Sequence, residues 1–112
     1  MDTLARLEQV ILRRRECDPS TSYVAHLRHK GRECMAQKLG EEAVEAVVAS
    51  LTGSDEDLVG EAADVLFHLM ALLADRDIAF DQVMAEIEKR EGISGLDEKA
   101  SRAGNTEGND AD

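Results

Sequence analysis

Residues 41–64 read EEAVEAVVASLTGSDEDLVGEAAD, and the fold turns on how this stretch bends. Glu42 and Glu45 precede Gly53 by eleven and eight residues; Glu61 and Asp64 follow it by eight and eleven. Thr52-Gly53 separates two helix-forming runs, and Ser54 with Asp57 three residues on has the form of a capping box, with Asp in place of the usual Glu or Gln. Two helices folded back antiparallel at Gly53 would set both acid pairs at matching heights, across an interaxial gap of about 8–10 Å.

The second of these helices is unusual. Between Leu58 and Ala74 every residue is apolar except Gly60, Glu61, Asp64 and His68. At ~100° per residue those last three share a stripe roughly 60° wide, and apolar side chains cover nearly all the rest of the circumference. Such a helix is surrounded by protein, from its own fold or from a partner subunit. The first helix is amphipathic: Leu39, Ala43, Val44, Val47, Val48 and Leu51 line one broad side, and Lys38, Glu41, Glu42 and Glu45 share the other.

Working outward, Leu4, Leu7, Val10 and Ile11 recur at helical spacing and predict a helix from about Thr3 to Arg15, broken by Asp18-Pro19-Ser20. The basic run Arg13-Arg14-Arg15 suits that helix's C-terminal dipole. A short helix is expected from about Ser22 to Gly31, then a long one from Arg32 to Leu51. The next runs from Asp55 to Ala74 or Asp75, and another from Phe80 to Glu91, closing at Gly92. Ser94–Arg102 adds a last short helical piece, and the acidic tail over 103–112 is expected to be disordered. With no alternating strand pattern, the fold class is all-α: a helical bundle of about five helices in a single domain over 1–102, with the antiparallel hairpin carrying the site.

The chain has 112 residues, 43% hydrophobic and 3% aromatic, a composition that favours helices and leaves room for only a modest core. Association with another copy is a natural way to complete it. A formal net charge of -11 repels nucleic acid and anionic membranes, so neither is an expected partner. No uncharged apolar run is long enough to span a bilayer, and the charged N-terminus lacks a secretory apolar segment. Cys17 and Cys34 stand apart without metal-ligand spacing, as free thiols in a reducing, cytoplasmic setting do.

Four carboxylates facing one another repel unless a cation or protons intervene. Oxygen donors alone favour a hard cation, Mg²⁺ first and Mn²⁺ next, with Ca²⁺ less suited. Magnesium is commonly shared between carboxylates and substrate phosphates, so the chemistry suggested is hydrolysis of a phosphoanhydride. Glu41 is either a water-orienting base or a supporting acid. Lys38 is either a phosphate contact or a helical partner of the glutamates. His68 either orders a ligand or is a buried packing residue. Tyr23 is a substrate contact or a packing residue, and no aromatic platform for a nucleobase is evident. Lys99 and Arg102 are candidates for substrate or subunit contacts.

KLGEEAVEA followed by GEAAD resembles the all-α nucleoside triphosphate pyrophosphohydrolases, whose signature is EExxE, a short gap, then ExxD. SYVAHL at Ser22–Leu27, KG at Lys30–Gly31, EAADVLFHLMALL at Glu61–Leu73 and GISGLDEKASR at Gly92–Arg102 are similar to the phosphoribosyl-ATP pyrophosphohydrolase family. The resemblance covers about residues 4–102. It implies Mg²⁺-dependent cleavage between the α and β phosphates of phosphoribosyl-ATP, giving phosphoribosyl-AMP and pyrophosphate in the second step of histidine biosynthesis. It also implies metal ligation by Glu42, Glu45, Glu61 and Asp64, with Glu41 a further acid of the motif and Lys38 a basic position. Tyr23, Lys30, Lys99 and Arg102 fall in family segments and are candidate substrate contacts. Cys34 departs from the family, standing where related sequences often carry Lys or Arg. The expected form is a stand-alone homo-oligomer, a dimer or larger, without a fused cyclohydrolase domain. Two other readings are a house-cleaning nucleoside triphosphate pyrophosphohydrolase and a non-enzymatic acidic helical module.

Overall fold

The computed structural model describes residues 2–91, so the expectations for Ser94–Arg102 and for the tail lie outside the described residues. Five helices and no strand are found among the described residues: α1 (Thr3–Arg14), α2 (Tyr23–Lys30), α3 (Arg32–Thr52), α4 (Asp55–Asp75) and α5 (Phe80–Glu91). The chain divides into two compact units, one reaching to Phe80 and one beginning at Asp81.

In the first unit, α1, α2 and α4 begin where a side chain supplies a partner for a free N–H group, while α3 begins at Gly31 without a side-chain cap. The Asp2 carboxylate accepts from the Ala5 amide at 2.8 Å. Ser22 does the same for Ala25, while its own hydroxyl donates to the Arg14 carbonyl and so ties α2 to the end of α1. Only Gly31 separates α2 from α3, at φ 106°, a conformation that glycine adopts without a Cβ penalty. The capping box at Ser54 forms in both directions, with Asp57 supplying the reciprocal acceptor. Gly53 has an ordinary extended backbone (φ -99°, ψ 179°), so freedom of φ is not its role. A Cβ there would lie 3.0 Å from the Ala49 carbonyl oxygen and 3.1 Å from Asp57 Oδ2; glycine is needed for a close approach.

The core gathers at the end of the hairpin remote from Gly53. Ile11, Val24, Met70 and Ala74 are buried together, with Leu4, Leu7, Phe67 and Phe80 packed around them. Leu27, Met35 and Ala71 form an adjoining cluster against Phe67 and Leu72. Polar ties reinforce this end: Arg32 Nε donates to Asp75 Oδ2 at 2.7 Å, Arg15 reaches Asp77 at 2.9 Å, and the Phe80 amide donates to Glu8 at 2.7 Å.

Toward Gly53 the hairpin is bare. Val44, Val47, Val48 and Leu51 of α3, with Val59 and Leu66 of α4, are exposed, Leu51 by 78% and Val59 by 69%. The α4 expected from sequence to be apolar all round and enclosed is thus covered by its own chain only over its C-terminal half, at His68, Met70, Ala71 and Ala74. Beyond Asp81, α5 is amphipathic and exposes Met84 and Ile87.

Candidate functional site

The antiparallel hairpin forms, and it brings together acids from both helices. Ligand-capable oxygens of Glu42, Glu45 and Glu61 all lie within 4.8 Å of one another. Turn chemistry achieves this. Gly53 and the Ser54–Asp57 capping box fix where α4 starts, and the matching offsets of Glu45 and Glu61 from Gly53 then set them level.

Glu61 is the electrostatic focus. Its Oε1 is shielded from solvent and has no hydrogen-bond partner. Desolvation first, then the charges of Glu45, Glu42 and Asp64, and finally a hydrogen bond with Glu45 hold its carboxyl above the ordinary Glu value. A desolvated carboxylate oxygen without a donor, facing two further carboxylates, is a donor set that a hard cation satisfies.

Asp64 is exposed and stands outside the close group of three, but it lines the same cleft and its charge reaches Glu61. That cleft, about 630 Å³ and open to solvent, runs from Glu45, Glu61 and Asp64 past Gly60 to Glu56, Asp57 and Thr52 beside the turn. Glu41 points elsewhere: it accepts from Gln37 Nε2 at 2.9 Å and pairs with Lys38 Nζ at 3.7 Å, along the flank of α3. Lys38 is accordingly one turn from Glu42 and already has an acidic partner.

Among the candidate substrate contacts, Tyr23 opens α2 and is half exposed, and Lys30 ends α2 exposed. Lys99 and Arg102 lie outside the described residues. His68 is buried, against the rings of Tyr23 (centroids 6.0 Å) and Phe67 (5.1 Å), both edge-on. Tyr23 also lies nearly parallel to Phe67 at 6.0 Å and to His26 at 6.5 Å. An aromatic patch therefore exists where the sequence makes none evident. Sequence reasoning misses His26; its spacing of three from Tyr23 is the one signal that points to it.

A family model described as phosphoribosyl-ATP pyrophosphohydrolase matches residues 4–91. A phosphoribosyl-ATP pyrophosphatase of Erythrobacter litoralis is 61% identical over 102 residues, covering 91% of this chain and 98% of that one. Its counterpart in Novosphingobium aromaticivorans is 56% identical over 102 residues, covering 91% and 95%. That of Rhizorhabdus wittichii is 58% identical over 100 residues, covering 89% and 94%. With Glu45, Glu61 and Asp64 lining one cleft and oxygens of Glu42, Glu45 and Glu61 within 4.8 Å, the sequence and the fold agree: the chain belongs to the phosphoribosyl-ATP pyrophosphohydrolase family.

Proposed function

We propose that the chain hydrolyses phosphoribosyl-ATP to phosphoribosyl-AMP and pyrophosphate, in histidine biosynthesis, at the acidic cleft of the α3–α4 hairpin. The observation that carries this reading is the convergence of Glu42, Glu45 and Glu61 oxygens within 4.8 Å, in a chain of this family. These three residues would hold Mg²⁺, or Mn²⁺ in its place, with Asp64 turning in from the cleft wall as the fourth acid. A bound divalent cation offsets phosphate charge and sharpens a water nucleophile. In the net reaction one water would break the α–β phosphoanhydride, leaving the α phosphate on phosphoribosyl-AMP and the β and γ phosphates as pyrophosphate.

The protein's own residues do the rest. The glutamates would orient the cation, Lys38 would reach the phosphate chain by exchanging Glu41 for phosphate, and Glu41 is the candidate base for the water once it leaves both Gln37 and Lys38 and turns toward the acids. Lys30, at the exposed end of α2, is a further candidate contact for a phosphate.

The second copy belongs to the same reading. The aliphatic face left bare on α3 and α4 is what a homo-oligomer, a dimer or larger, would cover. A cytoplasmic location suits the two free thiols, Cys17 and Cys34. None of the described helices is long and apolar enough to cross a membrane.

The test is release of pyrophosphate from phosphoribosyl-ATP by purified protein with Mg²⁺, compared with a panel of ordinary and modified nucleoside triphosphates. Release should require the divalent cation and favour phosphoribosyl-ATP. A folded preparation that releases none, or that prefers deoxynucleotides, would sink the assignment.

A further inference from the structure

The chain holds one Tyr, no Trp, two Phe and three His, so ring-bearing side chains are scarce. Four of them, Tyr23, His26, Phe67 and His68, nevertheless meet in one patch. His68 follows Asp64 by four residues, a rise of about 6 Å along α4, so the patch begins one turn beyond the acids. Lys38 and His68 each lie fifteen residues from Gly53, which places them level with one another across the hairpin.

The two ends of the acidic group differ in charge. Toward Gly53 the cleft walls carry Glu56 and Asp57, which repel phosphate. Away from Gly53 come Lys38, paired with Glu41, and then α2, whose last turn holds Arg28, paired with Glu16 and Asp75, together with His29 and Lys30, so that end carries cations beside its acids. A nucleotide whose phosphates sit at the acids therefore extends away from the turn, and the first rings it meets are those of the patch.

We infer that Tyr23, which rests on Phe67 and His68 and has His26 beside it, is the platform on which the purine ring of the substrate stacks, making Tyr23 a substrate-positioning residue. The inference rests on the proposed activity and adds which end of the cleft takes the nucleoside. Exposure fits the role: Tyr23 is 50% exposed and His26 is exposed, while His68 beneath is 7% exposed. A half-exposed ring already held by neighbouring rings loses little freedom when a base stacks on its exposed part.

Because Tyr23 is the only tyrosine, its ring protons can be followed by NMR without any substitution. Titration of the wild-type protein with AMP in Mg²⁺ should shift them upfield, and ribose 5-phosphate, which lacks the base, should not. In turnover of phosphoribosyl-ATP, Tyr23→Leu should raise KM roughly 5- to 100-fold and change kcat less, the range expected for loss of base–aromatic stacking. Tyr23→Phe should recover most of that loss. Tyr23 resonances indifferent to AMP, or a Tyr23→Leu protein of native helicity with KM within twofold of wild type, would overturn the platform while leaving the hydrolase assignment standing. Failure of wild-type turnover would instead strike the assignment itself.

Discussion

Glu45 and Glu61 stand level across the α3–α4 hairpin with ligand-capable oxygens within 4.8 Å, and after desolvation the charge of Glu45 is the largest cause that raises the Glu61 pKa. Burial and three neighbouring carboxylates disfavour the charged form of Glu61, a repulsion relieved when a cation arrives or a proton binds.

The first prediction concerns that repulsion. The folded-state pKa of Glu61 lies above its ordinary 4.5, so the native protein binds this proton more tightly than the unfolded chain. Its contribution to stability is complete below pH 4.5 and is lost as pH rises through the elevated folded-state value. Metal-free Glu61→Gln should therefore melt above wild type at neutral pH, with the gap closing as pH is lowered. Mg²⁺ should reverse the order by stabilising wild type alone, by about 2.7 kcal/mol at a hundred times Kd. Melting curves across pH, with and without Mg²⁺, check both parts. A metal-free variant no more stable than wild type at pH 7 counts against this account of Glu61.

Much of the site is legible in the sequence, for specific physical reasons. The offsets of eight and eleven residues about Gly53, with a capping box directly after it, determine register in an antiparallel pair, so the meeting of Glu45 and Glu61 follows from counting. Glu41 cannot be read that way. It neighbours Glu42 in sequence, but 100° of helical rotation and the pull of Gln37 and Lys38 take it to the flank. The aromatic patch is hidden because it joins α2 to α4, and no spacing within either helix reveals which face of one meets the other. The apolar circumference of α4 predicts an enclosed helix, but its own chain covers only the C-terminal half, and composition alone cannot say which half that is.

The second prediction ranks the acids. Glu45→Gln and Glu61→Gln should each lower kcat by at least about two to three orders of magnitude, the scale of losing a group that stabilises developing charge. Helicity should be unchanged, since neither side chain supports the core. Asp64→Asn should also abolish most turnover if it completes the ligand set on substrate binding. Steady-state kinetics in a Mg²⁺ titration separates the cases: a ligand's loss raises the Mg²⁺ concentration needed for half-maximal rate. An Asp64→Asn enzyme with normal rate and Mg²⁺ dependence would remove Asp64 from the site.

A third prediction tests the turn. Gly53→Ala introduces a Cβ 3.0 Å from the Ala49 carbonyl oxygen, a backbone atom that cannot swing aside like a side chain. Steric strain of this kind costs about 1–3 kcal/mol, and the movement that relieves it shifts α4 against α3. Ser54→Ala, which removes only the cap, should cost about 1 kcal/mol and leave the register alone. Gly53→Ala should therefore lose more activity than Ser54→Ala when both are assayed well below their melting temperatures. Equal losses would mean that the turn does not set the alignment of the acids.

The last prediction concerns the bare face of the hairpin. Val44, Val47, Val48 and Leu51 form a continuous aliphatic strip along α3, and burying such a side chain is worth roughly 1.5–3 kcal/mol. A two-fold interface would use each residue twice, so one substitution is felt doubly. Leu51→Glu places a charge on the strip at its most exposed position (78%), where its own chain does not need the leucine for packing. Light scattering should find the wild-type protein as a dimer or larger at micromolar concentration and Leu51→Glu shifted toward monomer, with its helicity largely kept. The neighbouring acidic cleft shares Val48 with this strip, so weakened association should also weaken Mg²⁺-dependent turnover. A wild-type monomer would show that the strip is left to solvent; a Leu51→Glu protein of unchanged mass would place the interface elsewhere.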